Sequence, residues 1–171
     1  GLRIFHEPGR LRGLIEGLVA DKQVPLFVKL PPWPRDTDNR RDILKLAETA
    51  VDAGADGLVI ANTHPIESRR LKVGRGGLSG APLFEHTELM IADVQALVQG
   101  NAAIIACGGV STAEQVWKLM ASGASAVQLY TSFIYEGPGL PSRLNRRLAK
   151  LMSVAGIETV ADITGPPPTV K

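Results

Sequence analysis

Four short apolar segments, each followed by a helical pattern, constrain the fold of this chain more than any other feature. They occupy residues 25–30, 57–62, 102–107 and 125–130. Apolar residues recur at helical spacing around them, over 8–20, 84–99, 112–122 and 139–153, and in a helix that runs through Ala53 and begins at an N-cap on Asp36 or Thr37. Because the apolar segments are continuous rather than alternating, they predict a parallel α/β sheet covered on both faces.

The number of strands poses a problem of closure. A (β/α)8 TIM barrel needs eight strands and about 250 residues, whereas this chain has 171 residues and four βα units. We therefore predict a single domain over residues 1–171 that forms half of a barrel, completed by a missing half or by a second copy in a homodimer. An open, doubly wound sheet is the alternative.

Composition excludes several classes of function. The net charge of +2 gives no reason to expect nucleic-acid binding, and the arginine-rich stretches are interpreted as solvated surface. One cysteine allows no internal disulfide, and three scattered histidines predict no metal site. No apolar run is long enough to span a bilayer, so we expect a cytoplasmic protein.

Two strand endings near the C-terminus predict a phosphate site. Gly108 and Gly109 with Ser111-Thr112 follow one strand, and Tyr130-Thr131-Ser132 follow the next. A tight turn exposes backbone N–H groups, and a helix behind it adds partial positive charge. Barrel enzymes build a phosphate site from their last two strand-to-helix loops, so we expect a phosphorylated ligand here.

The other strand endings supply further candidates. Lys29 closes an apolar strand, where a charge is costly unless it is paired or meets a ligand; snorkelling to the rim is the alternative. Asn62 and Thr63 can orient a polar heterocycle or merely cap a turn. His64 is placed to reach a ligand, and Cys107 is interpreted as a buried thiol rather than a nucleophile. Residues 63–80 are predicted to form a working loop or lid.

Taken together, these segments resemble the C-terminal half of class 2, quinone-dependent dihydroorotate dehydrogenases. The similarity covers nearly the whole chain and is carried by PLFVKLPP, DGLVIANT, GGLSGAPL and IIACGGVSTAEQVWKLMASGASAVQLYTSFIYEGPGL. The resemblance implies a TIM-barrel flavoprotein that holds FMN. It also implies oxidation of dihydroorotate to orotate in de novo pyrimidine biosynthesis, with a quinone as electron acceptor.

The resemblance also implies roles for single residues. Lys29 would contact the flavin; Gly80, Gly108, Gly109, Tyr130 and Thr131 would hold FMN; and Asn62 and Thr63 would bind the substrate ring. Ala61 departs from the threonine or serine usual in the family.

The family's catalytic serine loop lies upstream of the matched segments, which implies that this FMN-binding portion has no catalytic base and is inactive alone. For a full-length enzyme the resemblance implies peripheral association with the inner membrane. Two other hypotheses remain: a non-catalytic, self-associating half-barrel that binds phosphate or flavin, and a phosphate-binding isomerase or aldolase.

Overall fold

A computed structural model describes residues 7–33 and 40–169. The strands are β1 (Phe27–Lys29), β2 (Gly57–Ile60), β3 (His64–Glu67), β4 (Arg75–Leu78), β5 (Ala103–Cys107) and β6 (Ala126–Gln128). The helices are α1 (Pro8–Ala20), α2 (Arg40–Asp52), α3 (Phe84–Val98), α4 (Ala113–Ala121), α5 (Thr131–Glu136) and α6 (Leu140–Ala155). Short 3-10 turns cover Ala81–Leu83 and Val160–Asp162. None of the helices in the described ranges is long and apolar enough to cross a bilayer.

The main sheet has the order β1-β2-β5-β6, and every pair in it is parallel. Each strand is joined to the next through at least one helix, and helices that follow one another along this series pack together: α1 on α2, α2 on α3, α3 on α4, and α4 on α6. This is the α/β arrangement of half a (β/α)8 barrel, as the sequence predicts. The four strands do not close on themselves.

Helices cover only one face of this sheet. Leu58, Ile60, Ile104 and Ala106 point to that face and are fully buried. The residues between them point to the other face, where Phe27, Lys29, Ala126 and Gln128 are exposed. The predicted half-barrel likewise leaves one face of its sheet to a missing half or a second copy. The apolar runs show that both faces avoid water, but not which face the chain itself covers.

Polar groups at the amino end of the sheet are paired with one another. Asp56, just before β2, accepts hydrogen bonds from Lys22 Nζ at 2.7 Å and from the Leu26 N–H at 2.6 Å. The bond from Lys22, followed by that from Leu26, lowers the pKa of the Asp56 carboxyl below its usual value. Ser125 accepts the Ile104 N–H through Oγ at 3.3 Å and donates its own N–H to the Ile104 carbonyl at 2.7 Å. These bonds hold the starts of β1, β2 and β6.

The C-terminal segment beyond α6 is fastened to the helical layer. Ile163 is buried at 3% exposure, and the indole N–H of the buried Trp117 donates to the Gly165 carbonyl at 3.1 Å. Apart from one 3-10 turn, the described part of this tail, up to residue 169, is irregular.

Two parts of the chain differ from the sequence-based prediction. Residues 63–80 are not an open loop: β3 and β4 pair antiparallel from His64↔Leu78 to Glu67↔Arg75. The sequence predicted a helix after Ser132 but not the bounds of the six-residue α5, because so short a helix shows no recognisable periodicity. The proposed N-cap of α2 at Asp36 or Thr37 lies outside the described residues.

Candidate functional site

A cavity of about 620 Å³ opens at the carboxyl ends of the four parallel strands. It is lined by residues from the ends of β1, β2, β5 and β6 and from both stems of the β3–β4 hairpin. The eight residues to which the resemblance assigns a ligand lie around it: Lys29, Asn62, Thr63, Gly80, Gly108, Gly109, Tyr130 and Thr131. Ligands of parallel α/β folds bind at this end of the sheet.

Lys29 is the cation of this cavity. It is the last residue of β1 and lies on the open face of the sheet, so its side chain is exposed rather than buried as the sequence suggested. Its Nζ lies 3.6 Å from Cys107 Sγ, and thiol sulfur is only a weak acceptor. No carboxylate of the described residues forms an ion pair with it. Its charge is thus available to a ligand.

Asn62 and Thr63 cap a turn and also leave polar groups beside the cavity, so both interpretations made from the sequence apply to them. Asn62 Oδ1 accepts the Thr63 N–H at 2.8 Å, which is a capping contact within the turn. Within the described ranges, the Asn62 amide NH₂ and the Thr63 hydroxyl have no protein partner. A Cβ on Gly77 would lie 2.3 Å from Thr63 Oγ1, so β4 passes directly over this hydroxyl. The pair therefore keeps hydrogen-bonding groups beside the cavity while its backbone is fixed.

Glycine is required where the strand endings meet their neighbours. Gly109 has φ +77°, and a Cβ there would lie 2.3 Å from the Phe84 backbone nitrogen, at the start of α3. Gly80 has φ +82°, and its Cβ would lie 3.1 Å from Thr131 Cγ2. The turn after β5 thus rests on α3, and the hairpin stem rests on the turn after β6.

The two turns predicted to bind phosphate are tied to each other. Ser132 Oγ donates to the Val110 carbonyl at 2.6 Å. Gln115 Oε1 accepts the N–H groups of Ser111 and Thr112 at 2.8 and 3.1 Å, which completes a capping box on α4. These two donors therefore serve the helix, and the backbone around Gly109 and Thr131 remains for an anion. The contribution of the helix behind the second turn is smaller than the sequence suggested, because α5 has only six residues.

His64 does not reach the cavity. Its ring is 7% exposed and packs edge-on against His86, with 4.3 Å between ring centroids. His86 Nε2 lies 3.0 Å from the Trp33 carbonyl oxygen, to which it donates. The prediction that His64 contacts a ligand is wrong because the first residue of β3 points toward α3 rather than into the cavity.

Several lining residues escaped the sequence analysis. Gln128 lies opposite Cys107 in the β5–β6 register and is exposed on the open face. Tyr135 and Glu136 border the cavity from α5, where Glu136 also pairs with Arg143 at 2.8 Å. The signal available in the sequence for Gln128 was its polarity between the apolar residues Val127 and Leu129. The described residues contain no group of three or more side chains suited to a metal.

Comparison with known proteins gives a consistent result. The family model described as dihydroorotate dehydrogenase matches residues 1–152. The dihydroorotate dehydrogenase (quinone) of Sphingopyxis alaskensis is 36% identical over 96% of this chain and 47% of its own length. That of Agrobacterium fabrum is 39% identical over 83% of this chain and 39% of its own length.

The same relationship holds for solved structures. The crystal structure of DHODH from Eimeria tenella in complex with ferulenol superposes with a TM-score of 0.81 at 30% identity, covering 96% of this chain and 50% of that one. The chain thus spans about half the length of the relatives it matches.

Proposed function

Because this chain belongs to the dihydroorotate dehydrogenase family, we propose that it forms the FMN-binding portion of an enzyme that oxidises dihydroorotate to orotate in pyrimidine biosynthesis. The observation that carries this proposal is the convergence of all eight predicted ligand-binding residues on one cavity. They come from four strand endings and the hairpin, between Lys29 and Thr131, and no local sequence constraint brings them together. The electron acceptor proposed is a quinone.

The cavity suits a phosphorylated aromatic cofactor. Its volume of about 620 Å³ lies in the range of small-molecule and cofactor sites. Two turns, at Gly109 and Thr131, line part of it, and their backbone can approach an anion because Gly109 carries no side chain. Lys29 also lines it and is a cation that has no carboxylate partner within the described ranges. FMN requires both features: donors for its phosphate and a positive charge beside its ring system.

In this proposal a bound FMN would supply the hydride-acceptor chemistry, and residues of the chain would supply its electrostatic setting. Lys29 would stabilise negative charge on the cofactor's ring system. The backbone of Lys29 is held beside the cavity, because β1 is in register with β2 from Phe27↔Gly57 to Lys29↔Val59.

Asn62 and Thr63 orient the substrate. An amide and a hydroxyl can donate and accept, which suits the mixed edge of a pyrimidine ring. The capping bond from the Thr63 N–H to Asn62 Oδ1 at 2.8 Å fixes one side of this pair. The Asn62 amide NH₂ and the Thr63 hydroxyl then select for groups that accept or donate at the matching positions.

A second body completes the cavity. The sheet is covered on one face only, and among the described residues no strand pairs with the outer edge of β1 or of β6. Unpaired parallel edges and an open apolar face are unstable in water. We propose that the remaining strands of a longer polypeptide supply the other wall, together with the base that removes the substrate proton.

Reconstitution with cofactor tests the proposal directly. The purified chain is incubated with excess FMN, desalted, and examined for a bound flavin absorption band; riboflavin serves as the matched ligand without phosphate. We expect FMN to be retained at least tenfold more tightly than riboflavin, because only FMN uses the turns at Gly109 and Thr131. Retention of neither ligand, by the chain alone or with the complementary half of a relative, would count against FMN binding.

A self-associating half-barrel is the second candidate. The open face and the two bare edges favour it, since a two-fold axis along the barrel would place β6 of each copy parallel to β1 of the other. The mass in solution, measured together with the flavin content, separates the candidates. A dimer that holds two flavins supports self-completion. A dimer that holds no flavin argues against cofactor binding in both candidates.

A further inference from the structure

An amine and a thiol lie side by side in the wall of the cavity. Lys29 Nζ is 3.6 Å from Cys107 Sγ, and both residues line the cavity. Cys107 is the one cysteine of the chain, and its thiol is free and half-buried. The proposed function gives this thiol no role, although it lies beside the cation on which that function depends.

The fold brings the two side chains together from strands that are not neighbours. β2 lies between β1 and β5, so that Lys29 is opposite Val59 and Val59 is opposite Ile105. Cys107 follows Ile105 by two residues, and side chains two residues apart on a strand share a face. Because neighbouring strands are about 4.8 Å apart, the lysine side chain extends across β2 on the open face to reach the sulfur.

Backbone hydrogen bonds hold both ends of this pair to the same strand. The Leu30 N–H, directly after Lys29, donates to the Val59 carbonyl at 3.0 Å. The Ala61 N–H, directly after β2, donates to the Cys107 carbonyl at 2.8 Å. Rotation of the two side chains is therefore enough to bring nitrogen and sulfur into bonding contact. Groups held this close react as if each were at very high concentration.

Oxidation of the thiol has one resolving group within reach. A hydroperoxide converts a thiol to a sulfenic acid, which condenses with a second thiol or with a nitrogen. The chain has no second cysteine with which to form a disulfide. Among the described residues, the side chain hydrogen-bonded to the sulfur is that of Lys29, so its amine is the nitrogen placed to react.

We propose that Lys29 and Cys107 form an oxidant-sensitive covalent site, in which a hydroperoxide causes Nζ and Sγ to join through a sulfenamide bond. In the first step the thiol gives two electrons to the peroxide and its O–O bond breaks. One oxygen stays on the sulfur as the sulfenic acid, and with hydrogen peroxide the other leaves as water. In the second step the Lys29 ammonium loses a proton to solvent, and Nζ attacks the sulfur. The S–N bond forms, the S–O bond breaks, and a second water leaves with one more proton from the nitrogen.

The bond makes the cavity responsive to oxidants. A sulfenamide nitrogen is neutral, so the cavity loses its Lys29 cation, and the side chain is held against β5. Reduction by a dithiol restores the amine and the thiol. The effect on the cofactor rests on the proposed function, whereas formation of the bond does not.

Peptide mass spectrometry on the whole chain tests the proposal. The purified chain is treated with hydrogen peroxide, remaining thiols are alkylated, and the digest is searched for a peptide pair joined through Lys29 and Cys107 with the loss of two hydrogen atoms. Lys29→Arg keeps the positive charge but removes the amine, and Cys107→Ser removes the sulfur. Lys150→Gln is the matched control, because Lys150 is exposed on α6 and does not line the cavity.

We expect the joined pair in the wild-type chain and in the Lys150→Gln protein, and its disappearance on treatment with dithiothreitol. The pair should be absent from the Lys29→Arg and Cys107→Ser proteins. Oxidation of wild-type Cys107 to sulfinic acid with no joined pair overturns the proposal. A link between Cys107 and another lysine that persists in the Lys29→Arg protein also overturns it.

Flavin retention separates this inference from the proposed function. FMN retention is compared among the untreated, the oxidised and the re-reduced wild-type chain. We expect oxidation to weaken retention roughly tenfold, because a bond to a charged group is lost, and reduction to restore it. Unchanged retention by the joined protein overturns the regulatory effect. If the untreated chain retains no FMN, the proposed function fails, and the joined peptides alone decide whether the covalent site exists.

Discussion

Polar groups at the amino end of the four-stranded sheet are paired with one another, whereas those at the carboxyl end face a cavity. Asp56 is bound by Lys22 and the Leu26 N–H at distances of 2.7 and 2.6 Å. At the other end, the hydrogen-bond partner of Lys29 Nζ among the described residues is a thiol sulfur at 3.6 Å. Barrel enzymes divide their sheets in the same way, with stability at the amino end and ligands at the carboxyl end. The difference identifies the unpaired groups that we propose bind a ligand.

The comparison leads to opposite expectations for substitutions at the two ends of the sheet. Substitutions at the amino end should reduce stability and leave flavin binding unchanged. Substitutions of side chains that only face the cavity should do the reverse. Residues that build the turns themselves should affect both properties.

Gly109→Ala should have the largest effect, because it belongs to this last class. At φ +77° the new Cβ would be strained, and it would also lie 2.3 Å from the Phe84 backbone nitrogen. We expect a loss of about 3 kcal/mol or more in the free energy of unfolding, measured by urea denaturation, together with loss of FMN retention. Gly156→Ala is the matched control, since Gly156 has φ +68° and no atom within 4 Å of a Cβ. Equal costs at the two glycines would show that the contact with α3 is unimportant.

Lys29→Met should weaken FMN binding at least tenfold without changing the urea midpoint. The side chain keeps most of its length but loses the charge, and the described residues contain no carboxylate partner that would be left unpaired. Flavin titration followed by absorbance gives the affinity. Lys150→Met on α6 provides the comparison, because Lys150 is exposed and remote from the cavity. If the Lys29→Met protein unfolds at lower urea concentration but binds FMN with unchanged affinity, Lys29 contributes to stability and not to flavin binding.

Ser125→Ala should lower the free energy of unfolding by about 1 kcal/mol. The hydroxyl accepts the Ile104 N–H at 3.3 Å, and its removal leaves that donor without this partner. FMN retention should be unchanged, since Ser125 lies at the opposite end of β6 from Tyr130. Reduced flavin binding at unchanged stability would contradict the division between the two ends.

Asp56→Asn should have the smallest effect at neutral pH, because its amide oxygen can still accept the Leu26 N–H. Lys22 and Leu26 lower the pKa of the Asp56 carboxyl, so its stabilisation is present above the unfolded value of about 3.9 and is lost as the pH falls through the folded pKa. The urea midpoints of wild type and variant should thus differ at pH 7 and converge in strong acid. If the two urea midpoints still differ in strong acid, the effect of the substitution comes from side-chain shape and not from the charge of Asp56.

The sequence predicted the strands and the site better than the way the sheet is covered. Strand-ending residues such as Lys29 and Thr131 were identifiable because parallel α/β folds place ligands at one edge regardless of the remaining fold. The hairpin was missed because its strands, HPIE and RGGL, are short and lack apolar alternation. The failed assignment of His64 has a similar origin, since its direction depends on that unrecognised strand.

The open face was expected from the number of strands, because half a barrel needs a second body, but the apolar runs alone do not reveal it. Phe27 illustrates the reason: its ring occupies the space above Gly57, where a Cβ would lie 2.4 Å from the ring, yet Phe27 itself is 39% exposed. The sequence records that this position is apolar. Whether another body covers it is decided by residues elsewhere.

Because Trp117 is bonded to the tail and Trp33 lies elsewhere, the fluorescence of the two tryptophans can report on two separate places in the protein. The chain has only two tryptophans, and their surroundings differ. Trp117 lies in the helical layer with its indole fixed to Gly165, whereas Trp33 follows β1 beside His86 and under the guanidinium of Arg40. Emission from a Trp33→Phe protein would report release of the tail alone, and emission from a Trp117→Phe protein would follow the rim near the hairpin, so movements at the two places can be timed separately.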